Sequence, residues 1–322
     1  MEEELVRQKK GHQQLLIAAI VLGGFLSLYN SVAMNVAIPT FVKVFDTDLG
    51  MVQWIMISYT LMMGVLSPTA GYFADKFSCR NLFAFSMLGF AAVALLSGFC
   101  TGIYQMIIIR LIQGALAAFI VPCSMMIIYQ FIPYKQRSVF LTLQSVAMST
   151  GPAVGPVISG VLLTYISWHW VFWINVPIAL FTAYAVYKAV PYELTASEET
   201  LDYLGFAYVI VGTVLFLLSF NQISSWGLTS PAVWAMMLGG LILIGLFVRR
   251  CLASSHPVLN FQVLKEKSFS IALLINSGLS MAGYLFSGYF GIYADVFRCD
   301  FTDSGHILHC RRAHRPMALQ QG

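Results

Sequence analysis

Nine mostly apolar segments, each about 20 residues long, dominate this sequence of 322 residues. A helix of that length crosses the hydrocarbon core of a bilayer and satisfies its own backbone hydrogen bonds. Only 10% of the residues are charged and 58% are hydrophobic, which excludes a soluble enzyme domain, a disordered chain and a nucleic-acid-binding protein. No segment shows sustained alternation of apolar and polar residues, so a membrane β-barrel is also excluded. The predicted spans are Leu15–Ala37, Met51–Ala74, Leu82–Cys100, Tyr104–Tyr129, Val139–Ile166, Val171–Tyr187, Tyr203–Gln222, Val233–Val248 and Phe269–Ala294.

The positions of lysine and arginine predict how the chain lies in the membrane. With the N-terminus in the cytoplasm, twelve of them fall on the inner side of the predicted spans, whereas the outer loops hold only Lys43. Cytoplasmic segments of membrane proteins carry such an excess. We therefore predict a multi-pass protein of the cell membrane, in contact with the lipid bilayer and with a cytoplasmic N-terminus. The twelve are Arg7, Lys9, Lys10, Lys76, Arg80, Lys135, Arg137, Lys188, Arg249, Arg250, Lys265 and Lys267.

The last 25 residues, 298–322, differ from the rest of the chain. They follow the ninth span on the outer side, yet they contain four arginines and three of the six histidines. We interpret this tail as truncated or out of frame, with a genuine extracellular tail as the alternative. Its cysteines and histidines match no established zinc spacing, so we predict no metal site and no cofactor. The residues considered as ligands are Cys299, His306, His309, Cys310 and His314.

Three short motifs follow one another along the spans. The cytoplasmic loop Gly71–Arg80 has a glycine, an acidic residue four positions later and then basic residues. Span four contains the segment Arg110–Gly114, with the sequence RLIQG, and span five contains the glycine- and proline-rich segment Gly151–Gly160. In this order the motifs resemble those of the major facilitator superfamily, and the third is similar to the motif typical of its drug exporters.

Further segments narrow the resemblance to the fourteen-helix drug:proton antiporters of the EmrB/QacA type. They are Asn35–Pro39 in span one, Trp54 and Tyr59 in span two, and Trp168–Pro177 around the start of span six. The likeness covers roughly residues 12–297. It implies an all-α integral membrane fold with a six-helix N-terminal bundle, two linking helices and one helix of an incomplete second bundle.

The resemblance also implies domains and a function. It implies a transporter, not an enzyme, that exports drugs or other small apolar or cationic organic molecules in exchange for protons. Because a substrate site between two repeats needs both of them, we expect that this chain alone does not catalyse export. The domains are residues 1–190 as the bundle, 191–256 as the extra helix pair with its linkers, 257–297 as the first helix of the second bundle, and 298–322 as the tail.

Two other classes of protein compete with the transporter. The first is a non-transporting truncated membrane protein, or a half-transporter subunit that pairs with another chain. The second is a membrane-embedded enzyme, which needs clustered histidine, acidic or cysteine side chains near a membrane face. His12, His169 and His256 lie far apart on different loops, and this spacing disfavours an enzyme.

Arg110 is the one fully ionised residue well inside a predicted span. A charge is costly in a bilayer, so we expect its guanidinium to face the bundle interior and to reach polar groups such as Gln113, Gln144 or Asn30. Arg110, Gln113, Gly114 and Asn30 form the predicted transport pathway. The alternative is that Arg110 extends along the lipid to the outer surface.

The loop motif implies a cytoplasmic gate formed by Gly71, Asp75, Lys76 and Arg80. Gly71, with the small Ala74, would let two helix ends approach closely. Asp75 would pair with Lys76 or Arg80, or face a helix N-terminus, and this contact would break as the transporter opens. The alternative is a solvated turn with an ordinary ion pair.

The Gly-Pro motif of span five predicts a hinge. Glycine permits close helix packing, and proline frees backbone carbonyls and bends the helix. The alternative is a kinked helix with only a structural role. The hinge residues are Gly151, Pro152, Gly155, Pro156 and Gly160.

The sequence departs from the family pattern at several positions. Asn30 and Val32 stand where the family carries an acidic residue and then a threonine in span one. No carboxylate lies mid-membrane in spans one to eight, so proton antiport follows from the resemblance alone. The other departures are Ser78 for glycine, Cys79 for a basic residue, Leu116 for a small residue, Ser159 for glycine and His169 for arginine.

Overall fold

The computed structural model describes residues 2–191, 203–227, 229–253, 265–268, 270–275 and 277–278. The fold is all-α, and the regular elements of the described part are helices. A short 3-10 helix, Ser67–Thr69, joins the second α-helix to the third. The α-helices are α1 Glu2–Val44, α2 Leu49–Leu66, α3 Ala70–Phe77, α4 Cys79–Ser97, α5 Ile103–Ala117, α6 Ile120–Phe131, α7 Tyr134–Tyr165, α8 His169–Trp173, α9 Asn175–Ala189, α10 Tyr203–Trp226 and α11 Pro231–Ala253.

Seven helical segments of the described residues are long and apolar enough to cross a membrane. They coincide with the first six predicted spans and the eighth. Three of them join consecutive helices: α2 with α3, α5 with α6, and α8 with α9. The seven are Gly11–Val44, Leu49–Phe77, Cys79–Ser97, Ile103–Phe131, Tyr134–Tyr165, His169–Ala189 and Pro231–Ala253.

The two remaining predicted spans differ from these seven. The seventh falls on α10, whose apolar stretch Leu204–Phe220 is shorter than the others. Most of the ninth, Phe269–Ala294, lies outside the described residues, as does the whole of the tail 298–322. The chain forms two compact units, Met1–Leu259 and Asn260–Gly322, and the second is described only in short stretches between residues 265 and 278.

Local sequence explains where several helices begin. The Asp48 side chain caps α2 by accepting a hydrogen bond from the backbone N–H of Met51 at 2.9 Å. Pro68 lies in the 3-10 helix that separates α2 from α3, because proline cannot donate a backbone hydrogen bond inside a continuing helix. Pro231 is the first residue of α11, where its missing N–H costs nothing.

Helix α1 runs through two apolar clusters of the first unit. Its N-terminal half contributes Leu16, Ile20 and Leu26 to a cluster with residues of α4, α6 and α9. Its C-terminal half contributes Tyr29 and Phe41 to a second cluster with residues of α2, α5 and α8. Many large apolar side chains of the same helices remain exposed on the outside of the bundle. That combination suits a helix bundle whose solvent is lipid.

Helices α10 and α11 pack against each other through glycines. A Cβ atom on Gly240 would lie 2.8 Å from the carbonyl oxygen of Gly212, so no larger residue fits without a shift. Near the start of α10, the ring of Phe206 contacts Tyr72 and Phe73 of α3 at centroid distances of 5.1 and 5.7 Å. The pair therefore contacts the six-span bundle at the end where α3 lies.

Candidate functional site

Arg110 occupies the buried face of α5. The buried residues of this helix recur at helical spacing, and the Arg110 side chain is 0% exposed despite its length and charge. The prediction that Arg110 faces the bundle interior is confirmed, and the alternative of an arginine extending along the lipid is excluded. The other buried residues of α5 are Ile103, Met106, Gln113, Gly114 and Ala117.

The guanidinium of Arg110 donates hydrogen bonds to residues on three helices. Nη1 donates to Oδ1 of Asn30 in α1 at 2.5 Å and to Oε1 of Gln113 in α5 at 2.7 Å. Nη2 donates to the backbone carbonyl of Asn30 at 3.3 Å, and Nε donates to that of Ile55 in α2 at 3.1 Å. We call Arg110, Asn30, Gln113 and the Ile55 carbonyl the arginine centre.

Tyr59 covers one side of this centre. The guanidinium carbon of Arg110 lies 4.2 Å from the centroid of the Tyr59 ring, which is the geometry of a cation–π interaction. The Tyr59 hydroxyl donates to the carbonyl oxygen of Ser27 in α1 at 3.0 Å, so the ring is anchored at its far end. The resemblance included Tyr59 as a motif residue, but nothing in its spacing predicted this contact.

Gly114 brings α5 and α2 into backbone contact beside the arginine centre. A Cβ atom at Gly114 would overlap the backbone carbonyl of Tyr59. The missing side chain therefore lets α2 approach closely enough for the Ile55 carbonyl to reach Arg110. The structure thus brings together all four residues of the predicted pathway.

One predicted partner does not reach Arg110. Gln144 of α7 is fully buried, but neither its Nε2 nor its Oε1 has a hydrogen-bond partner in the described part of the chain. It packs instead against α1, where a Cβ on Gly24 would lie 3.6 Å from its Cγ. Of the three alternative partners, Asn30 and Gln113 are therefore confirmed and Gln144 is not, because α5 and not α7 supplies the second amide.

The prediction that the gate residues form a loop is wrong: Gly71, Asp75 and Lys76 lie in helix α3, and Arg80 lies in the first turn of α4. Gly71, Asp75 and Lys76 are exposed, and a Cβ atom on Gly71 would meet nothing within 4 Å. The expectation that Gly71 permits a close helix approach is therefore wrong in this conformation, although Ala74 is buried. The guanidinium carbon of Arg80 lies 4.1 Å from the centroid of the Tyr187 ring, which ties α4 to the end of α9.

Ser78, between α3 and α4, has an unusual backbone conformation. Its φ is 70°, in the region that favours glycine, and its side chain is only 5% exposed. This is the position at which the family pattern has glycine, so the departure places a side chain where the backbone favours none. The neighbouring Cys79 thiol donates to Oε1 of Gln130 at 3.1 Å and links the start of α4 to α6.

The predicted hinge residues of α7 differ in their surroundings. A Cβ atom on Gly151 would lie 2.9 Å from the backbone nitrogen of Tyr29, so here α7 packs directly on the backbone of α1. At Gly155 the nearest atom, in the Tyr29 ring, would be at an ordinary 3.5 Å, and at Gly160 nothing would lie within 4 Å. Close packing is confirmed at Gly151 and wrong at Gly160. Pro152 and Pro156 lie inside the continuous helix α7.

A row of hydroxyl groups runs along the exposed face of α7, and the sequence reasoning missed it. Thr142, Ser145, Ser149 and Thr150 each donate to the carbonyl oxygen four residues earlier, at 2.7–2.9 Å. Together with neighbouring residues of α7 they line a wide-open surface groove of about 560 Å³. The spacing Thr142, Ser145, Ser149 along one helix face is the signal that identifies it.

Metal ligands do not cluster in the described part of the chain: no three histidine, cysteine or acidic side chains there lie close enough to hold an ion. The cysteines that the structure describes, Cys79, Cys100, Cys123 and Cys251, are buried and form no disulfide bond with one another. The histidines and cysteines of the tail, considered above as ligands, lie outside the described residues.

The fold and the site define a class of protein. Helices long enough to span a bilayer surround a fully buried charged side chain, and charges inside membrane bundles mark pathways for ions or substrates. Residues 20–291 match the Major Facilitator Superfamily. This match covers most of the chain, and the chain therefore belongs to that superfamily of membrane transporters.

Parts of this chain are similar in sequence to curated proteins, and part of it is similar in structure to a solved protein. Proteins named "Putative multidrug resistance protein MdtD" from Salmonella heidelberg and Salmonella paratyphi A are 27% identical to it over 278 residues, which is 86% of this chain and 58% of each relative. The chain thus spans little more than half the length of these relatives. A bacterial homologue of the human lysosomal transporter Spinster, in an inward-facing unoccupied conformation, aligns with a TM-score of 0.46 and 14% identity over 72% of this chain and 60% of that one.

Proposed function

We propose that this chain takes part in the export of small organic molecules across the cell membrane in exchange for protons. The observation that carries the proposal is the arginine centre in a chain of the Major Facilitator Superfamily. A guanidinium with 0% exposure between α1, α2 and α5 is costly to maintain in a membrane bundle. The MdtD relatives are named for multidrug resistance, and this supports multidrug export as the activity.

Within this function each motif has a proposed role. The arginine centre lies in the transport pathway, and the segment around the junction of α3 and α4, with Gly71, Asp75, Lys76 and Arg80, acts as a cytoplasmic gate. Helix α7 acts as the hinge. It packs on the backbone of α1 at Gly151, whereas Gly160, beyond Pro156, has open space around it. Its hydroxyl groups line the surface groove.

The export test has two arms. In the first, residues 1–322 are expressed in a host without its own drug pumps, and energy-dependent efflux of cationic, uncharged and anionic dyes is measured. In the second, the chain is joined to the C-terminal part of an MdtD relative that lies beyond the matched region. Each arm includes an Arg110→Ala variant and a protonophore. The proposal expects export in the second arm that both the variant and the protonophore abolish.

The first arm separates the candidate forms of the transporter. Export by the chain alone would favour a half-transporter that assembles from two copies, because a superfamily site lies between two repeats. Absence of export in both arms, with the protein present in the membrane, would overturn the proposal and favour a non-transporting membrane protein.

The proposed orientation places the N-terminus in the cytoplasm. Lys43 and Lys76 are both exposed and fall on opposite sides of the membrane in this topology. Lys43→Cys and Lys76→Cys variants form a matched pair, since the described native cysteines are buried; Cys299 and Cys310 are replaced by serine. An impermeant thiol reagent should label position 43 in intact cells and position 76 only after permeabilisation. Labelling of position 76 in intact cells would refute the orientation.

A further inference from the structure

The positive charge of Arg110 lies in the core of the bundle, and no carboxylate among the described side chains accepts a hydrogen bond from it. The oxygens that accept hydrogen bonds from Arg110 are those of amides and backbone carbonyls. The acids whose side chains the structure describes are Asp46, Asp48, Asp75 and Glu266, and all four are exposed. Neutral dipoles alone therefore balance the Arg110 guanidinium in the described part of the chain, and a buried charge held in this way is poorly compensated.

Two further donors beside the guanidinium have no partner in the described structure. Nδ2 of Asn30 and Nε2 of Gln113 are both buried and make no hydrogen bond. Each belongs to an amide whose oxygen binds Nη1 of Arg110, so both NH2 groups lie close to the positive charge. Buried donors normally find an acceptor, and unsatisfied ones are unusual. A cation flanked by two unused donors lacks an anionic acceptor.

We propose that the arginine centre binds an anionic group, either the carboxylate of an exported organic acid or a small inorganic anion such as chloride. The group accepts hydrogen bonds from Asn30 and Gln113 and neutralises Arg110. The inference rests on the proposed function for its role in export. The family resemblance implies a cationic or apolar substrate, whereas this inference implies an anionic one, because a buried guanidinium repels cations.

Asn30 decides this preference. An aspartate has nearly the same size and would place a carboxylate against Nη1 of Arg110, where the asparagine now offers a neutral oxygen and an unused NH2 group. The chain would then carry its own counter-charge and no longer need an external anion. Because the centre is fully buried in the packing described here, the anion enters when α2 and α5 separate beside Tyr59 and Gly114.

The test measures thermal unfolding of the purified full chain in a neutral detergent. Three aromatic probes of matched size carry a negative, zero or positive charge: benzoate, benzyl alcohol and benzylammonium. A separate arm titrates chloride, with gluconate as the background anion throughout. The variants are Asn30→Asp and, as a second route to the same charge change, Gln113→Glu.

We expect benzoate or chloride to raise the melting temperature of the wild-type chain in a saturable way. Benzyl alcohol and benzylammonium should leave the melting temperature unchanged. In both variants the apparent Kd for the anion should rise about tenfold or more, since an internal carboxylate replaces it. Stabilisation by benzoate alone assigns a substrate carboxylate, and stabilisation by chloride alone assigns an inorganic anion. If Asn30→Asp fails to fold, Gln113→Glu provides the same comparison.

The inference is overturned if no anion stabilises the wild-type chain, if benzylammonium does so equally well, or if a folded variant retains the anion effect. These results come from purified protein and do not depend on export. If no anion stabilises the purified chain, the export test in cells can still succeed. If dye export fails in cells, anion binding can still be measured on the purified protein.

Discussion

The arginine centre and the segment Gly71–Arg80 both carry family motifs, but their surroundings differ: the first is buried between helices and part of the second is exposed. The residues Arg110–Gly114 lie against α1 and α2, and hydrogen bonds and backbone contacts fix their positions. In α3, Gly71 has open space around it and Asp75 is exposed. Packing within the bundle therefore explains the first motif, whereas the second motif needs an explanation from a different conformation or from a segment outside the described residues.

The largest effect that separates the two regions is expected from adding a side chain to each glycine. Gly114→Val forces a side chain into the backbone of Tyr59 and should destabilise the bundle by about 3 kcal/mol. Gly71→Val is the matched control, and its Cβ meets nothing within 4 Å. Thermal unfolding in detergent measures both variants. Equal destabilisation by the two would contradict the difference between the regions.

The same comparison can be made within a single helix. Gly151→Ala places a methyl group 2.9 Å from the backbone of Tyr29 and should cost about 2 kcal/mol. Gly160→Ala, in the same helix, has free space and should be neutral or stabilising by up to about 1 kcal/mol. If unfolding measurements show Gly160→Ala to be the more harmful variant, the assignment of close packing to Gly151 is wrong.

The sequence predicted some of these features and not others, for physical reasons. Apolar length alone located most membrane helices, because the bilayer imposes it. The high cost of a charge in lipid predicted that Arg110 turns inward toward Asn30 and Gln113. The cation–π contact with Tyr59 and the Ile55 carbonyl were not predictable, because they depend on how closely α2 approaches α5.

The glycine motifs show where such reasoning fails. Glycine permits close packing but does not require it, so the sequence could not distinguish Gly114 and Gly151 from Gly71 and Gly160. Only the relative positions of neighbouring helices decide which glycines carry a contact. The spacing of Thr142, Ser145 and Ser149 is enough to predict the hydroxyl row of α7. The hinge was predicted from a different segment of the same helix, the motif Gly151–Gly160.

A smaller effect on stability is expected at Ser78, between α3 and α4. Ser78 holds a φ of 70°, so Ser78→Gly should relieve backbone strain and stabilise the chain by about 1 kcal/mol. Ser78→Ala keeps the unfavourable conformation and serves as the control. Thermal unfolding should show a higher melting temperature for the glycine variant only. A loss of stability in Ser78→Gly would show that the serine side chain, not the backbone, determines this turn.

The most direct measurement tests whether position 110 needs the planar guanidinium of arginine or only a positive charge. Arg110→Lys keeps the positive charge but removes the forked geometry, since one ammonium cannot donate simultaneously to Asn30, Gln113 and the Ile55 carbonyl. The matched control is Lys43→Arg, a charge-conserving change at an exposed position near the end of α1. Both variants are made in the chain joined to the C-terminal part of an MdtD relative, and efflux per folded molecule is measured.

We expect Arg110→Lys to lower the efflux rate at least tenfold, on the order of the loss of one or two charge-assisted hydrogen bonds, while the protein remains folded. Lys43→Arg should keep most of the activity. Efflux at the wild-type rate in a folded Arg110→Lys variant would contradict the claim that the arginine centre is the functional core of this bundle.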